Sequence, residues 1–544
     1  MSFKTIAVLD EADLKDGQMK EVDFDKGKVL VSRLGDKVHA TSAFCTHYGA
    51  PLAKGVLTSD GRVVCPWHGA CFNVCSGDIE DAPAPTSLHS FKAEISGGKI
   101  HVTADPASAL KENMSRPPKL LSSGHEASGK GVVIVGGGSG AFHAVESLRE
   151  NGYKGTITIL SKETYAPIDR TKLSKALITD ASKVELRTAA DLKIKYGTTL
   201  RTGTTVTSID VPNKKVSLDN GKELVNYETL ILAPGGTPRR LPIPGADSDN
   251  VYTFRGIEDS KKVDAAAQEG KRMVVIGSSF ISMELVAAVS KRKLASIDVV
   301  GMEEFPFEAV LGKEVGKGLK KYHESQGVKF HMQTGVSRIE AADSVASAVV
   351  VKGQDGTETT LPADFVILGV GVSPATEFLS TSPGFSLEKD GGVKVDEYFR
   401  VPGLDKVYAI GDIAHFPIGG ESRRIEHWNV AGNHGRAVGH NIARSPQKFA
   451  KTPVFWSAQG QQLRYCGSGI GYDEVIVKGD PGELKFIAYY AKQGTVIAVA
   501  TMQNDPVVSK ASELLRLGLM PSADEFKAGK DLLTVDISSA GTRS

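Results

Sequence analysis

The sequence predicts a multidomain chain with an all-β amino-terminal domain, two doubly wound α/β domains and a carboxyl-terminal α+β domain. Three observations predict it. The first hundred or so residues alternate short β segments with turn signals, as in KVLVSRLGDKVHATS and the hairpin FKAEISGGKIHVTA around Gly97-Gly98. Two strand–glycine turn–helix–strand units follow, GVVIVGGGSGAFHAVESLRENG with TITIL and, about 140 residues on, KRMVVIGSSFISMELVAAVSKRK with ASIDVVGM; such units build Rossmann-like parallel sheets. From about Thr452 the pattern changes to antiparallel-type strands, DEVIVKG, LKFIAYYAKQ and TVIAVATM, with one helix, VVSKASELLRLG.

These textures divide the 544 residues into 1–105, a linker over 106–129, a first nucleotide-binding part over 130–250, an inserted second nucleotide-binding domain over 251–372, the return of the first over 373–447, and a last domain over 448–544. The linker is read from Pro117-Pro118, Ser122-Ser123-Gly124 and the lack of apolar period. Basic residues number 65 and acidic ones 64, a balance that gives no support to a nucleic-acid or anionic-membrane partner. No apolar run is long enough for a membrane span. The acidic start (Asp10, Glu11, Asp13, Asp16) lacks signal or transit character, so the expected location is cytoplasmic, with mitochondrial association left open.

Four of the five cysteines fall between Cys45 and Cys75, a clustering that suits metal ligands better than a disulfide scaffold. Cys45-Thr46-His47 and Cys65-Pro66-Trp67-His68 each bring one thiolate and one imidazole to a metal centre. Two thiolates on one iron and two imidazoles on another make a Rieske [2Fe–2S] cluster. The same set also suits a structural zinc. Zinc fingers, however, pair Cys with Cys and His with His on a ββα unit, and these surroundings are β-rich. The flanks CTHYGAPLAKG and CPWHGACFNVCSGD resemble Rieske proteins. Against the respiratory Rieske pattern, Ala50 and Trp67 stand where bracing cysteines would be, and Ala70 replaces a hydroxyl donor, which implies a low-potential, ferredoxin-like cluster. Cys71 and Cys75 read as packed or surface thiols.

In the first nucleotide unit Gly136, Gly138, Gly140 and Ala141 form a turn that lets backbone approach a pyrophosphate at a helix amino terminus. Glu163, past the next strand, is placed for a ribose hydroxyl. In the second unit Gly277 is kept but Ser279 and Ser282 stand where glycines are usual, which weakens the expected grip on pyrophosphate. Glu303 and Glu304 after SIDVV favour NADH over NADPH, although Gly301 and the cations Lys291 to Lys293 are nearby.

The motifs TYAPIDRTKLSK, LILAPGGTPRRLPIPG, VILGVGVSP, VYAIGDIA and RIEHWNVAGNHGRAVGHNI resemble the ferredoxin-reductase and apoptosis-inducing-factor-like flavoproteins, over essentially the whole chain when the Rieske domain is counted. The resemblance implies FAD in the first Rossmann-like domain and NAD(P)H in the second. It places Arg170 and Lys175 beside the FAD, Asp412 after Gly411 on the ribitol, Ala233, Gly235 and Gly371 along the cofactors, and His427 and Trp428 near the flavin ring. Glu284 is implied to pair with Lys175 at the hydride-transfer site.

No cysteine pair lies in either nucleotide domain, which excludes disulfide-reducing chemistry. The expected reaction is hydride transfer from NAD(P)H to flavin, single-electron steps to the cluster, and delivery to an acceptor not identified by sequence. A flexible linker of about 24 residues would span roughly 25–30 Å and hold the modules at millimolar effective concentration. The alternatives are an NADH oxidase and a redox-sensing signalling protein. The want of a two-His-one-carboxylate site in any further domain argues against a terminal oxygenase. The last domain is a candidate homodimer interface or flavin cover.

Overall fold

The computed structural model describes residues 3–118, 131–418 and 420–537. The amino-terminal domain holds a six-stranded antiparallel sheet with the spatial order Lys4–Asp10, Lys99–Ala104, Ser90–Ser96, Lys37–Ser42, Gly27–Leu34, Met19–Phe24. Period-2 alternation makes its core: Ile100, Val102 and Ala104 turn inward beside Val29 and Val31. The Gly97-Gly98 turn joins its hairpin with both residues at positive φ. A second sheet of four short strands, Val56–Leu57, Arg62–Val64, Cys71–Asn73 and Ile79–Asp81, carries the loops with the expected ligands.

The stretch expected to be linker begins inside this domain. Asp105 caps the 3-10 turn Pro106–Ala109 by accepting from Ala107 N at 3.2 Å. Arg116 donates from its backbone to Ser87 O and from Nη1 to Ser76 O at 2.7 Å. The domain thus runs to about residue 116, held by caps and single hydrogen bonds that leave no apolar period in the sequence. Most of the remaining expected linker, from 119 on, lies outside the described residues.

The first Rossmann-like sheet is wholly parallel, ordered Thr198–Arg201, Ile157–Leu160, Val132–Val135, Thr229–Leu232, Val407–Ala409. Its central strands, VVIV and TLIL, are buried at every position and apolar at all but Thr229, as burial on both faces favours. Helix α1 (Ser139–Glu150) starts directly after the glycine turn, and the short helix α2 (Thr171–Ala176) carries Lys175.

The chain enters and leaves the inserted domain through an antiparallel pair, Gly236–Pro238 with Val372–Pro374. Leu241, Ile243 and Ala246 already pack on the inserted core, so the crossing lies near residue 238, ahead of the boundary at 251 read from the sequence. The insert is a parallel sheet (Val251–Tyr252, Phe365–Leu368, Arg272–Ile276, Ser296–Val300, Val328–His331) with helix α3 (Phe280–Val289) opening after Gly277. Back in the first domain, helix α4 (Trp428–Ala443) lies along α1.

The last domain is a five-stranded antiparallel sheet ordered Val454–Gln459, Gln461–Gly467, Thr495–Met502, Lys485–Lys492, Glu474–Asp480, followed by helix α5 (Val507–Leu517). The first two of these strands escape a sequence reading because Ser457 and Gln459 in the first and Arg464 in the second are buried polar residues where an apolar alternation is expected. Leu463, Tyr465, Phe486, Tyr490 and Met502 share a core with the inserted domain. Cys466, Tyr489 and Val499, with α5, share another with Val56, Val64 and Cys71 of the amino-terminal domain. The last domain therefore ties the first to the third. Among the described residues no helix is long and apolar enough to cross a membrane.

Candidate functional site

Cys45 and Cys65 open two loops of the same build. In each, the cysteine N–H donates to the carbonyl of the alanine five residues on (Cys45 to Ala50 at 2.9 Å, Cys65 to Ala70 at 2.8 Å), and a glycine N–H returns to the cysteine carbonyl. Those glycines, Gly49 and Gly69, adopt positive φ, which closes the loop without strain. The backbone N–H groups of His47 and Tyr48 turn toward the sulfur of Cys45, and those of Trp67 and His68 toward that of Cys65.

The four side chains gather as two pairs. The Nδ1 atoms of His47 and His68 are 3.1 Å apart, and the two thiols are close enough to share a hydrogen bond. Among the described residues no three His, Cys, Asp or Glu side chains converge as a single ion requires. An imidazole pair beside a thiol pair, each lined by backbone donors, fits a two-iron cluster and not one tetrahedral zinc. Cys71 is buried and Cys75 exposed with its sulfur 3.6 Å from His39 Nε2, and neither joins the four.

This end of the domain faces the rest of the chain. His47 stacks on Tyr48 with ring centroids 3.7 Å apart, and His68 lies on Trp456 at 4.2 Å. Trp428 lies parallel to His47 at 6.5 Å, and Trp456 also meets His427 at 5.3 Å. Burial pushes His68 well below its ordinary range, helped by the charges of Arg464 and Lys175. The docking is polar around this aromatic centre. Tyr48 donates to Asp169 at 2.6 Å, Ser509 to Cys65 O at 2.7 Å, and Arg436 to Ile79 O at 2.6 Å, while Ala82 N donates to Asn433. Burial works to raise Asp169, but the neighbouring His47 and hydrogen bonds from Thr171 and Tyr48 hold its carboxyl down at about 2.

Behind the two tryptophans lies the expected ion pair. Lys175 Nζ is 3.0 Å from Glu284 and also donates to Thr171 O. Glu284, in the second turn of α3, is buried and accepts from Ser174, from Ser457 Oγ at 2.7 Å and from Ala458 N at 3.2 Å. Gln459 in turn donates to Ser457 and faces the buried His323, whose burial pushes it down to about 4. The last domain thus supplies one wall of this pair.

The glycine turn of the first unit is a cradle. Gly136 has φ of 109°, and a Cβ there would lie 2.0 Å from Ala233 O, whereas a Cβ on Gly138, the residue before α1, would meet nothing within 4 Å. That open space in front of a helix amino terminus, with the buried Ser139 hydroxyl left without a partner, fits a pyrophosphate. Gly140 and Ala141 pack inward against α4 and the sheet. Glu163 accepts from Arg170 at 2.6 Å and Tyr165 at 3.0 Å, both on Oε1, leaving Oε2 for a sugar hydroxyl. At the far end Gly235 and Gly411 turn at positive φ on either side of Asp412, which accepts from Arg255 at 2.8 Å. His427 caps α4 by accepting from Asn429 N, and burial pushes it down to about 3. Trp428 donates to Ile168 O at 3.2 Å.

In the second unit Gly277 turns at φ of 103° against Gly369 O and Ser279 precedes α3, as a nucleotide turn requires. Ser282 points inward: a Cβ on Gly369 would meet its hydroxyl, so this serine fills the helix–sheet contact and not the cofactor face. Gly371 turns at φ of 92° with open space before it, and Glu303 is exposed after Ser296–Val300.

The pyridine nucleotide-disulphide oxidoreductase family matches residues 130–435, more than half of the chain. The chain belongs to that family. The Rieske [2Fe-2S] domain family matches residues 4–92, and the reductase C-terminal family residues 454–533. Apoptosis-inducing factor 3 from Mus musculus is 41% identical over 515 residues, which cover 93% of this chain and 83% of the relative. A solved ferredoxin reductase from Rhodopseudomonas palustris superposes with a TM-score of 0.69 at 28% identity, covering 76% of this chain and all of that one. The reductase in a covalent putidaredoxin reductase–putidaredoxin complex also reaches 0.69 at 27% identity, over 77% of this chain and all of its own.

The protein is therefore an FAD-dependent NAD(P)H oxidoreductase of the ferredoxin-reductase type with a Rieske domain in front. As a pyridine nucleotide-disulphide oxidoreductase it departs from the name of its family, since none of its cysteines lies in a nucleotide-binding domain. Several residues of the site were missed by sequence reasoning. Asp169 stood one residue from Arg170 inside a quoted motif, and Ser457 followed Trp456 in the strand that was not read. Arg255 and Tyr48 gave no signal, because each acts through a contact distant in sequence.

Proposed function

We propose that electrons from NAD(P)H, NADH being preferred, pass by way of the FAD to the chain's own Rieske cluster and leave for a one-electron acceptor outside the chain. The observation that carries this reading is the burial of both imidazole ligands against Trp428, Trp456 and His427, on the side where Lys175 pairs with Glu284. A solved relative is a reductase held to its putidaredoxin; here the iron–sulfur module is fused and already docked.

When bound, the flavin supplies conversion of a two-electron donor to single electrons, and the cluster holds one of them. Cys45 and Cys65 would hold one iron, His47 and His68 the other. The Gly136–Gly138 turn would take the FAD pyrophosphate, with Glu163 and Asp412 on its ribose and ribitol. Gly277 and Ser279 would take that of NAD(P)H, with Glu303 beside the adenosine ribose. Glu284, fixed by Ser174, Ser457 and the Ala458 N–H, pairs with Lys175 at 3.0 Å and directs its Nζ, which gives the hydride-transfer site a positioned donor. Trp428, Trp456 and Tyr48 keep water from the path between the two centres.

Anaerobic titration of the purified protein with NADH tests this. A low-temperature electron paramagnetic resonance (EPR) signal from the reduced cluster is expected to grow as the flavin absorbance bleaches. A flavin that bleaches while the cluster stays oxidised for minutes would overturn the intramolecular route.

A further inference from the structure

Each cluster-ligand imidazole turns one nitrogen toward the other, so the second nitrogen of each looks outward. For His47 that outward nitrogen, Nε2, lies 3.5 Å from Asp169 Oδ2, with both side chains almost wholly buried at 4% and 3% exposure. Nε2 makes no hydrogen bond of ordinary geometry. Asp169 is well anchored: its Oδ1 accepts from Thr171 N at 3.2 Å and Thr171 Oγ1 at 2.6 Å, and its Oδ2 from Tyr48 at 2.6 Å. Lys172 stands 3.9 Å from Oδ2 and over the Tyr48 ring at 4.8 Å. His68 is covered by Trp456 instead.

Metal-bound histidines commonly give their second N–H to a carboxylate, which orients the ring and makes the ligand more electron-rich. Asp169 offers that carboxylate, and it comes from the flavin-binding part of the chain, two residues before the helix that carries Lys175. We propose that Asp169 is a positioning residue for the Rieske cluster, holding His47 through its outer nitrogen and lowering the cluster's reduction potential while the Rieske domain is docked. An added electron makes the cluster more negative, and a fixed anion in a water-poor contact opposes that addition. The docked reductase thereby sets part of the potential of the centre it faces. This depends on the cluster ligands and not on the direction of electron flow proposed above.

The test is an EPR-monitored redox titration of the holoprotein with dithionite and mediators, in which NADH takes no part. Asp169→Asn removes the charge and keeps the shape; the reduction equilibrium is expected to shift about tenfold toward the reduced cluster, which is 59 mV for one electron. Tyr48→Phe keeps the stack on His47 but strips a donor from the carboxylate, so its midpoint is expected to fall, by about threefold in the same equilibrium. Opposite signs distinguish a charge effect from loosened docking, which would move both variants the same way. An unchanged midpoint in Asp169→Asn, or a rise in both variants, overturns the inference. If Asp169→Asn fails to retain its cluster, the direction of the Tyr48→Phe shift decides: a fall supports the inference, and no change or a rise overturns it.

Discussion

His434 shows how much one buried side chain can ask of its surroundings. Its Nδ1 accepts from Gly411 N at 3.2 Å, which steadies the turn that presents Asp412. Phe399, Phe416 and Phe449 surround the ring with centroids 4.3, 4.4 and 5.1 Å away. Burial alone pushes it down to about 3. In the unfolded chain the imidazole takes a proton below its ordinary value of about 6.5, whereas the folded protein refuses it until about pH 3. Its contribution to stability is thus complete above about pH 6.5 and is lost progressively as pH falls toward 3. At about 1.4 kcal/mol per pH unit the loss comes to roughly 2 kcal/mol by pH 5. His434→Gln, which keeps an acceptor for Gly411, should have a lower Tm at pH 7 and a shallower fall in Tm between pH 7 and 5. Parallel profiles for the two proteins would remove His434 from the acid sensitivity.

Among the elements, the contact between α1 and α4 decides whether the cofactor cradle forms. It is a meeting of backbones. A Cβ on Gly435 would lie 2.2 Å from Gly140 O and 3.0 Å from Ala144 N, and one on Gly439 would lie 2.7 Å from Ser147 Cβ. Because backbone cannot swing aside as a side chain can, Gly435→Ala must push the helices apart, at a cost of about 1–3 kcal/mol for overpacking. The displacement would act on the amino end of α1, where the open space before Gly138 lies, and on Trp428 at the start of α4. The variant should therefore purify with a lower ratio of flavin absorbance to protein absorbance, and added FAD should restore it only in part. A full flavin complement would show that the helices tolerate separation. The sequence carried much at this scale, since glycine turns between apolar runs are local and leave a period. The strands at Val454–Gln459 and Gln461–Gly467 did not show, because buried Ser457 and Gln459 in the first answer to Glu284 and His323 in another domain, and buried Arg464 in the second pairs with Asp505. The turns after Asp105 were read as linker for a related reason: caps and single arginine contacts leave no repeating pattern.

At the scale of the whole molecule the cluster ligands were legible and their setting was not. Coordination fixes Cys45, His47, Cys65 and His68 at short spacings, whereas the pairing of Tyr48 with Asp169 joins residues 121 apart and exists only once the domains dock. That docking is where the last prediction belongs. Arg436 of α4 donates to the carbonyls of Ile79 and Glu80 in the Rieske domain and pairs with Glu150 at 2.7 Å. Hydrogen bonds from a charged donor contribute about 1.5–3 kcal/mol each. Arg436→Met keeps the length of the side chain and removes them, so the docking equilibrium should weaken about tenfold or more. In single-turnover experiments the flavin should be reduced by NADH at the rate of the unaltered protein, since Arg436 stands apart from Lys175, Glu284 and the second nucleotide turn. Cluster reduction should lag behind it. Adding salt should widen the lag, because two of the remaining contacts, Lys451 with Asp81 at 2.8 Å and Arg62 with Glu513 at 3.6 Å, are ionic. Flavin and cluster reduced in step, at every ionic strength, would mean that electrons cross the interface without the arrangement that Arg436 holds.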